Sequence, residues 1–283
     1  MIHTTHRSTA WIAIMSQSSP PSEDPVKPAS STSHEALVVQ QFGAQASAYV
    51  ASAVHAAGDD LGQVVAIAGR TPSAKALDLG CGGGHVSYGV APVVGSVVAY
   101  DLSAEMLAAV AAEATKRGHA NLSTRQGAAE AMPFADGSFD LVLSRYSAHH
   151  WQDVRKGVRE ARRVLRAGGT AVISDIIAPE SLVSDTFLQT FEMLRDPSHV
   201  RDYSTAEWVA IAAEAGFAVT GVTRRRLPLD FAAWVGRMRT PEVQVAAIRA
   251  LQAAMAEPVR RHFEIAADGS FVIDQAVFEL VAV

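Results

Sequence analysis

Asp78-Leu79-Gly80-Cys81-Gly82-Gly83-Gly84-His85 is the stretch that decides how this chain folds. The run Ala76-Leu77-Asp78-Leu79 reads as a short buried strand, and the glycines fall where that strand gives way to a helix. Glycine there lets the backbone turn tightly and approach a ligand with no Cβ in the way. The helix N-terminus adds free N–H groups and partial positive charge. The loop suits a nucleotide-like or carboxylate-bearing ligand.

Working outward, Val97-Val98-Ala99-Tyr100 is a second apolar run, ending at Asp101. Phe139-Asp140-Leu141-Val142-Leu143-Ser144 and Thr170-Ala171-Val172-Ile173-Ser174 are two more. Near-continuous apolar strands are buried on both faces, as in parallel sheets. Helical stretches at about 85–93, 103–117 and 152–166 separate them. The alternation predicts an α/β, doubly wound, Rossmann-like sheet.

Asp101 lies 17 residues after Gly84. A carboxylate at that strand end can accept both ribose hydroxyls of an adenosyl ligand. The dinucleotide fingerprint needs a third glycine, and counting from Gly80 that place is His85. With no pyrophosphate to cradle, Asp78 can instead organise a loop facing an amino group.

The rest of the chain supplies covers. Residues 1–33 are rich in Ser, Thr and Pro, which predicts a disordered tail. Met15 opens Met15-Ser16-Gln17-Ser18, and residues 1–14 are read as an upstream extension from a misplaced start codon. From Ser33, a capping residue, a helical pattern runs through Glu35, Leu37, Val38, Gln41, Phe42, Ala46, Tyr49 and Val50. A second helix covers about Gly58–Ala68. Ser204-Thr205-Ala206-Glu207 is a capping box opening a helix that stops at Gly216. Ala218–Arg224 reads as a strand, about 241–256 as a helix, Asp268-Gly269 as a turn and Phe271–Val283 as a last strand. One domain over 34–283 is expected, with cap elements at about 34–70, 178–203 and 225–268.

Composition narrows the field. The chain has 283 residues, 49% hydrophobic and 19% charged, a balance that can close a core. A net charge of −5 argues against holding a polyanion by bulk charge. A single cysteine excludes an internal disulfide framework and a multi-cysteine zinc site, and cytosol is the default compartment. No apolar run approaches the ~18–20 residues of a spanning helix, and Ala10–Met15 is too short for a signal-peptide core.

These motifs together resemble a class I S-adenosylmethionine (SAM)-dependent methyltransferase of the UbiE-like small-molecule group. The likeness covers roughly Gln40–Gly221. Asp78–His85 resembles that family's first motif. Asp101-Leu102-Ser103-Ala104-Glu105-Met106-Leu107 resembles its second, in which the acid holds ribose and the Met packs near adenine. Gly127-Ala128-Ala129-Glu130-Ala131-Met132-Pro133-Phe134 resembles the third, with Ala128 where the family usually carries an acid; backbone at 128–130 would then meet adenine. Phe139-Asp140-Leu141-Val142 and Leu165-Arg166-Ala167-Gly168-Gly169 complete the set. The resemblance implies a seven-stranded sheet with its last strand antiparallel, and S-adenosyl-L-methionine as cofactor. The cofactor-binding residues it implies are Tyr49, Asp78, Gly80, Cys81, Gly82, Gly84, Asp101, Leu102, Met106, Ala128, Ala129, Glu130, Ser144 and Arg145. Tyr49 is read as either core packing or a lid over the cofactor's methionine part.

On the substrate side, Ser144-Arg145-Tyr146-Ser147-Ala148-His149-His150-Trp151 follows a strand end, where α/β sheets bind ligands. Methyl transfer needs alignment and, for some acceptors, a base. His149 and His150 are the candidates. Asp175, Arg195, His199, Arg201, Trp234 and Arg237 are candidates to line an acceptor pocket. A metal is not expected, because adjacent histidines usually diverge, although Asp175 could converge with one of them. The Asn/Asp-Pro-Pro-aromatic motif of nucleic-acid amino-methyltransferases is absent, and Cys81 is poorly placed for thiol chemistry. The expected reaction is methyl transfer to O, N or C of a small-molecule metabolite, by a monomer or homodimer with no nucleic-acid or membrane partner. The rivals are a non-catalytic SAM-binding sensor or partner subunit, and an NAD(P)-linked oxidoreductase.

Overall fold

The computed structural model describes residues 33–43 and 58–283. The expected tail before Ser33, and Tyr49, lie outside the described residues.

The four apolar runs become β1 (Lys75–Leu79), β2 (Ser96–Asp101), β4 (Phe139–Arg145) and β5 (Leu165–Ala178). With β3 (Leu122–Gln126), β7 (Phe217–Leu229) and β8 (Phe271–Ala282), they form a sheet in the order β3-β2-β1-β4-β5-β8-β7. The first five pair in parallel, whereas β8 runs antiparallel between β5 and β7. This is the seven-stranded arrangement with an antiparallel last strand. A two-residue β6 (Tyr203–Ser204) pairs with the end of β5 off that path.

The first helix, α1 (His34–Gly43), packs beside α4 (Ala104–Arg117), and α2 (Asp59–Ala68), α3 (His85–Val90), α4, α5 (Val154–Val164) and α7 (Thr205–Glu214) cover the two faces. On one face Leu77, Phe139, Val142 and Ile173 pack with Trp151 and Trp208. On the other Ala76, Leu141, Leu143 and Val172 pack with Val64, Ile67 and Val86. Burying each Val, Leu, Ile or Phe side chain among them contributes about 1.5–3 kcal/mol.

Side-chain caps set the helix starts. Ser33 Oγ accepts from the Ala36 N–H at 3.2 Å, Ser103 Oγ from Met106 at 3.1 Å and Asp153 Oδ1 from Lys156 at 2.9 Å. The Ser204/Glu207 box closes in both directions, at 3.2 and 2.8 Å.

The helix predicted over about 241–256 forms as α9 (Glu242–Ala254), and the cap adds two that the sequence reading did not place, α8 (Phe231–Met238) before it and α10 (Glu257–His262) after it. Pro258 lacks the N–H that would continue the ladder of α9. With α6 (Leu182–Arg195) these helices bury a core of their own, built on Phe187, Phe191, Trp234, Ile248, Phe263 and Phe271.

Candidate active site

The glycine loop sits at the carboxyl end of β1, folded back on β2. Gly80 N–H and Cys81 N–H both donate to the Tyr100 carbonyl, at 2.8 and 3.0 Å. Gly80, Gly82 and Gly84 have φ of 70°, 47° and 80°. A Cβ on Gly80 would lie 1.8 Å from Ser147 Oγ, and one on Gly84 would lie 2.8 Å from the Tyr88 ring. A Cβ on Gly82 would meet nothing within 4 Å. Asp101 closes the loop: Oδ2 accepts from Gly82 N–H at 2.9 Å and Oδ1 from Ser103 N–H at 3.0 Å. Burial raises the Asp101 carboxyl above its ordinary range, although these backbone donors favour the charged form. Asp78 is buried, and its Oδ2 accepts from Ser87 N–H at 2.9 Å and Ser87 Oγ at 2.6 Å. Burial outweighs those bonds and pushes Asp78 up to about 7.

Beside the loop lies a cavity of about 790 Å³, open to solvent. Its walls include Gly80, Gly82, Asp101, Leu102, Met106, Ala129 and Glu130 of the predicted cofactor set, and His150 of the catalytic pair. A second cavity of about 460 Å³ is walled by Asp78, Cys81, Gly83, His85 and Arg145, and shares Gly80, Gly82 and Tyr146 with the first. Among the described residues, three carboxylates (Glu35, Asp101, Glu130) and no Lys or Arg line the larger cavity. Gly84 instead caps α3, Ala128 gives its carbonyl to the Tyr100 hydroxyl at 3.0 Å, and Ser144 is buried on β4 outside both cavities.

Arg145 is held by a partner that sequence reasoning missed. Its Nε and Nη2 donate to Asp60 Oδ2 and Oδ1 at 2.6 and 3.1 Å, with both side chains only 6% exposed. Ser174 Oγ adds a bond to Asp60 at 3.1 Å, and Gln275 donates to Ser174 Oγ at 2.8 Å. Burial alone would raise the Asp60 carboxyl, but the Arg145 hydrogen bonds and charge hold it below the ordinary range. The pair ties α2 to the end of β4. Arg145 also lies 4.6 Å over the Tyr146 ring, whose residue adopts a left-handed φ of 51°. That conformation is strained for a residue with a Cβ, by about 1–2 kcal/mol. It turns the chain sharply after β4, so that Ser147, His150 and Trp151 line the larger cavity.

The two histidines part company. His150 lines the cavity, and its Nδ1–H donates to the Ser198 carbonyl at 3.0 Å. From α1, His34 Nε2–H donates to the His150 carbonyl at 2.9 Å, and the Phe42 ring meets the imidazole edge-on at 5.0 Å. Burial and the neighbouring His149 charge lower His150 to about 4. His149 lies behind, with its Nδ1 2.6 Å from Asp175 Oδ1. Burial opposes its charge, but Asp175 outweighs that and raises His149 to about 9.

The residues predicted to line an acceptor pocket sit elsewhere. Asp175 is 1% exposed and uses both oxygens internally, accepting also from Ala148 and Ile176 N–H at 3.0 and 2.9 Å. It braces the turn that carries the histidines. Trp234 is buried in the cap core, and Arg195 lies 4.7 Å over its ring. His199 is buried, 3.0 Å from Gln189 Oε1, and Arg201 pairs with Asp185 at 2.9 Å. None of these five lines either cavity. The larger cavity has cover residues that no motif announced: His34, Glu35, Val38 and Phe42.

A strand-end glycine loop, an acid at the end of β2 and this strand order meet a known family. The family described as "Methyltransferase domain" matches residues 77–173. The chain belongs to the class I SAM-dependent methyltransferases, in the UbiE-like small-molecule group. Among its relatives, the "Uncharacterized protein YafE" of Escherichia coli (strain K12) is 49% identical over 191 residues, 68% of this chain and 92% of that one. The "Uncharacterized methyltransferase YcgJ" of Bacillus subtilis (strain 168) is 38% identical over 200 residues, 71% of this chain and 79% of that one. The crystal structure of the Bacillus YcgJ protein superposes with a TM-score of 0.76 at 33% identity, over 79% of this chain and 98% of that one.

Proposed function

We propose that the larger cavity binds the adenosyl part of SAM and the smaller one its methionine part, and that the methyl group passes to O, N or C of an uncharged or cationic small molecule. The observation that carries this reading is the wall of the larger cavity: among the described residues it holds Asp101, Glu35 and Glu130 and no Lys or Arg. A cationic sulfonium suits such a wall, whereas a pyrophosphate would meet three carboxylates and none of the described Lys or Arg side chains. The NAD(P)-linked alternative loses ground for that reason.

When bound, SAM supplies an electrophilic methyl group. Asp101 would accept from ribose hydroxyls with the lone pairs that Gly82 and Ser103 leave free. Met106 and Leu102 would pack against adenine, with backbone at 128–130 beside it. Asp78, Cys81 and Arg145 would wall the methionine end. His150, with its proton on Nδ1, keeps Nε2 as the acceptor for a proton leaving the substrate. His34, Glu35 and Phe42 would cover the acceptor and exclude water. No helix among the described residues is long and apolar enough to cross a membrane, consistent with a cytoplasmic enzyme acting on metabolites.

The test is formation of S-adenosylhomocysteine (SAH) against a panel of neutral, cationic and anionic acceptors. Turnover confined to neutral or cationic acceptors supports the reading. Preference for anionic acceptors overturns the assignment of acceptor charge. SAM binding without acceptor-dependent SAH across a broad panel favours the non-catalytic alternative.

A further inference from the structure

We propose that His149, Asp175 and Asp202 hold a divalent first-row transition ion, such as Zn²⁺, buried one layer behind the larger cavity. The strands and the cap bring these three together from distant parts of the chain. Each offers a ligand atom within 4.8 Å of the others. Two ligands about 2.1 Å from a tetrahedral Zn²⁺ lie about 3.4 Å apart, so small side-chain movements close the set. An imidazole with carboxylates suits Zn²⁺ and its first-row neighbours. Asp175 either shares the ion or, through its 2.6 Å hydrogen bond, orients the ring that binds it.

An independent observation points the same way. Asp202 Oδ2 is buried with no hydrogen-bond partner, on a side chain 2% exposed. Its nearest basic atom is His199 Nε2, at 3.8 Å. The backbone of Asp202 is fixed, because its N–H and carbonyl both bond the Gln189 amide, at 3.0 and 2.8 Å. A buried carboxylate oxygen without a partner is costly. Glu192 and Asp196 are buried nearby, so four carboxylates share this interior with Arg195 and His149. A divalent cation would give the unpartnered Asp202 oxygen a partner and offset the clustered carboxylates. It would also brace the turn that aims His150: His149 O already accepts from Val200 N–H at 2.8 Å, and His150 bonds Ser198 in the same loop.

The experiment strips the full-length protein with chelator, then measures Zn²⁺ by equilibrium dialysis and Co²⁺ by its visible d–d bands. One equivalent per chain, d–d bands of a four-coordinate N/O site and a raised melting temperature are expected. Asp202→Asn should weaken Zn²⁺ binding at least about tenfold while circular dichroism and SAH affinity stay as in the wild type. His149→Gln serves as a second variant if Asp202→Asn does not fold, and His119→Gln, at a half-buried histidine stacked on Tyr88 just after α4, as a control for adventitious histidine binding. Unchanged stoichiometry in both site variants, equal loss in the His119 control, or no Zn²⁺ uptake would overturn the proposal. SAH binding is read separately, so failure of the metal site and failure of the SAM reading are distinguishable.

Discussion

His150 gives its Nδ1 hydrogen to the carbonyl oxygen of Ser198 at 3.0 Å, which fixes the tautomer and leaves Nε2 as the basic nitrogen of a side chain that lines the larger cavity. Only one of the two adjacent histidines is presented in this way, since His149 turns to Asp175.

His150→Gln should therefore lower kcat by about 10²-fold or more, the scale of a lost general base, with little change in SAH affinity. Because burial and His149 lower His150 to about 4, it is neutral at every ordinary assay pH. The acid limb of the kcat/KM profile should fall near 4, not near the ordinary imidazole value of about 6.5. Wild-type turnover in the variant would remove His150 from the chemistry.

Gly82→Ala separates ligand crowding from loop damage. The new Cβ would meet no protein atom within 4 Å, so the stability loss should stay near the ~1–2 kcal/mol of a left-handed residue. SAH binding should fall far more, because the methyl group enters the cavity. Gly80→Ala, whose Cβ collides with Ser147, should destabilise the fold itself. Thermal melts and SAH titrations of both variants test the contrast; equal SAH affinity in Gly82→Ala and wild type would place the ligand elsewhere.

Asp60→Ala should cost about 3–5 kcal/mol, because it removes the carboxylate paired with the buried Arg145 guanidinium. Asp60→Leu combined with Arg145→Met should recover much of that loss. Urea unfolding of the single and double variants checks it, and additive losses would show that the pair is not coupled.

The His149–Asp175 pair makes stability depend on pH in the metal-free protein. His149 is raised to about 9 from an unfolded value of about 6.5. Its contribution is fully present below about 6.5 and is lost as pH rises through 9. Asp175→Asn should therefore differ most from wild type at about pH 6, less at neutrality and least above pH 9. A difference that does not change with pH would contradict the charged pair.

Much of the sheet is legible because β1, β2, β4 and β5 are buried on both faces and read as apolar runs. β3 escapes, since Ser123-Thr124-Arg125-Gln126 is exposed at the sheet edge and carries no apolar pattern. The glycine loop and Asp101 are local and meet as expected. The Asp60–Arg145 pair spans 85 positions, and no local spacing announces it. Arg195 and Trp234 read as pocket residues because each sits in an insertion, yet the two insertions close a core of their own around Trp234. The cavity wall on α1 escapes for the opposite reason: His34 and Phe42 read as ordinary helix positions until the fold sets them against His150.

The most direct test of the account is calorimetric titration with SAH and NADH of the wild type and Asp101→Ala. Burial raises the Asp101 carboxyl, so wild-type SAH affinity should also weaken on acidification sooner than for an ordinary carboxylate. At neutral pH the account predicts SAH binding without NADH binding, and a loss of about 1.5–3 kcal/mol in the variant. NADH binding alone, or SAH affinity indifferent to Asp101, would contradict it.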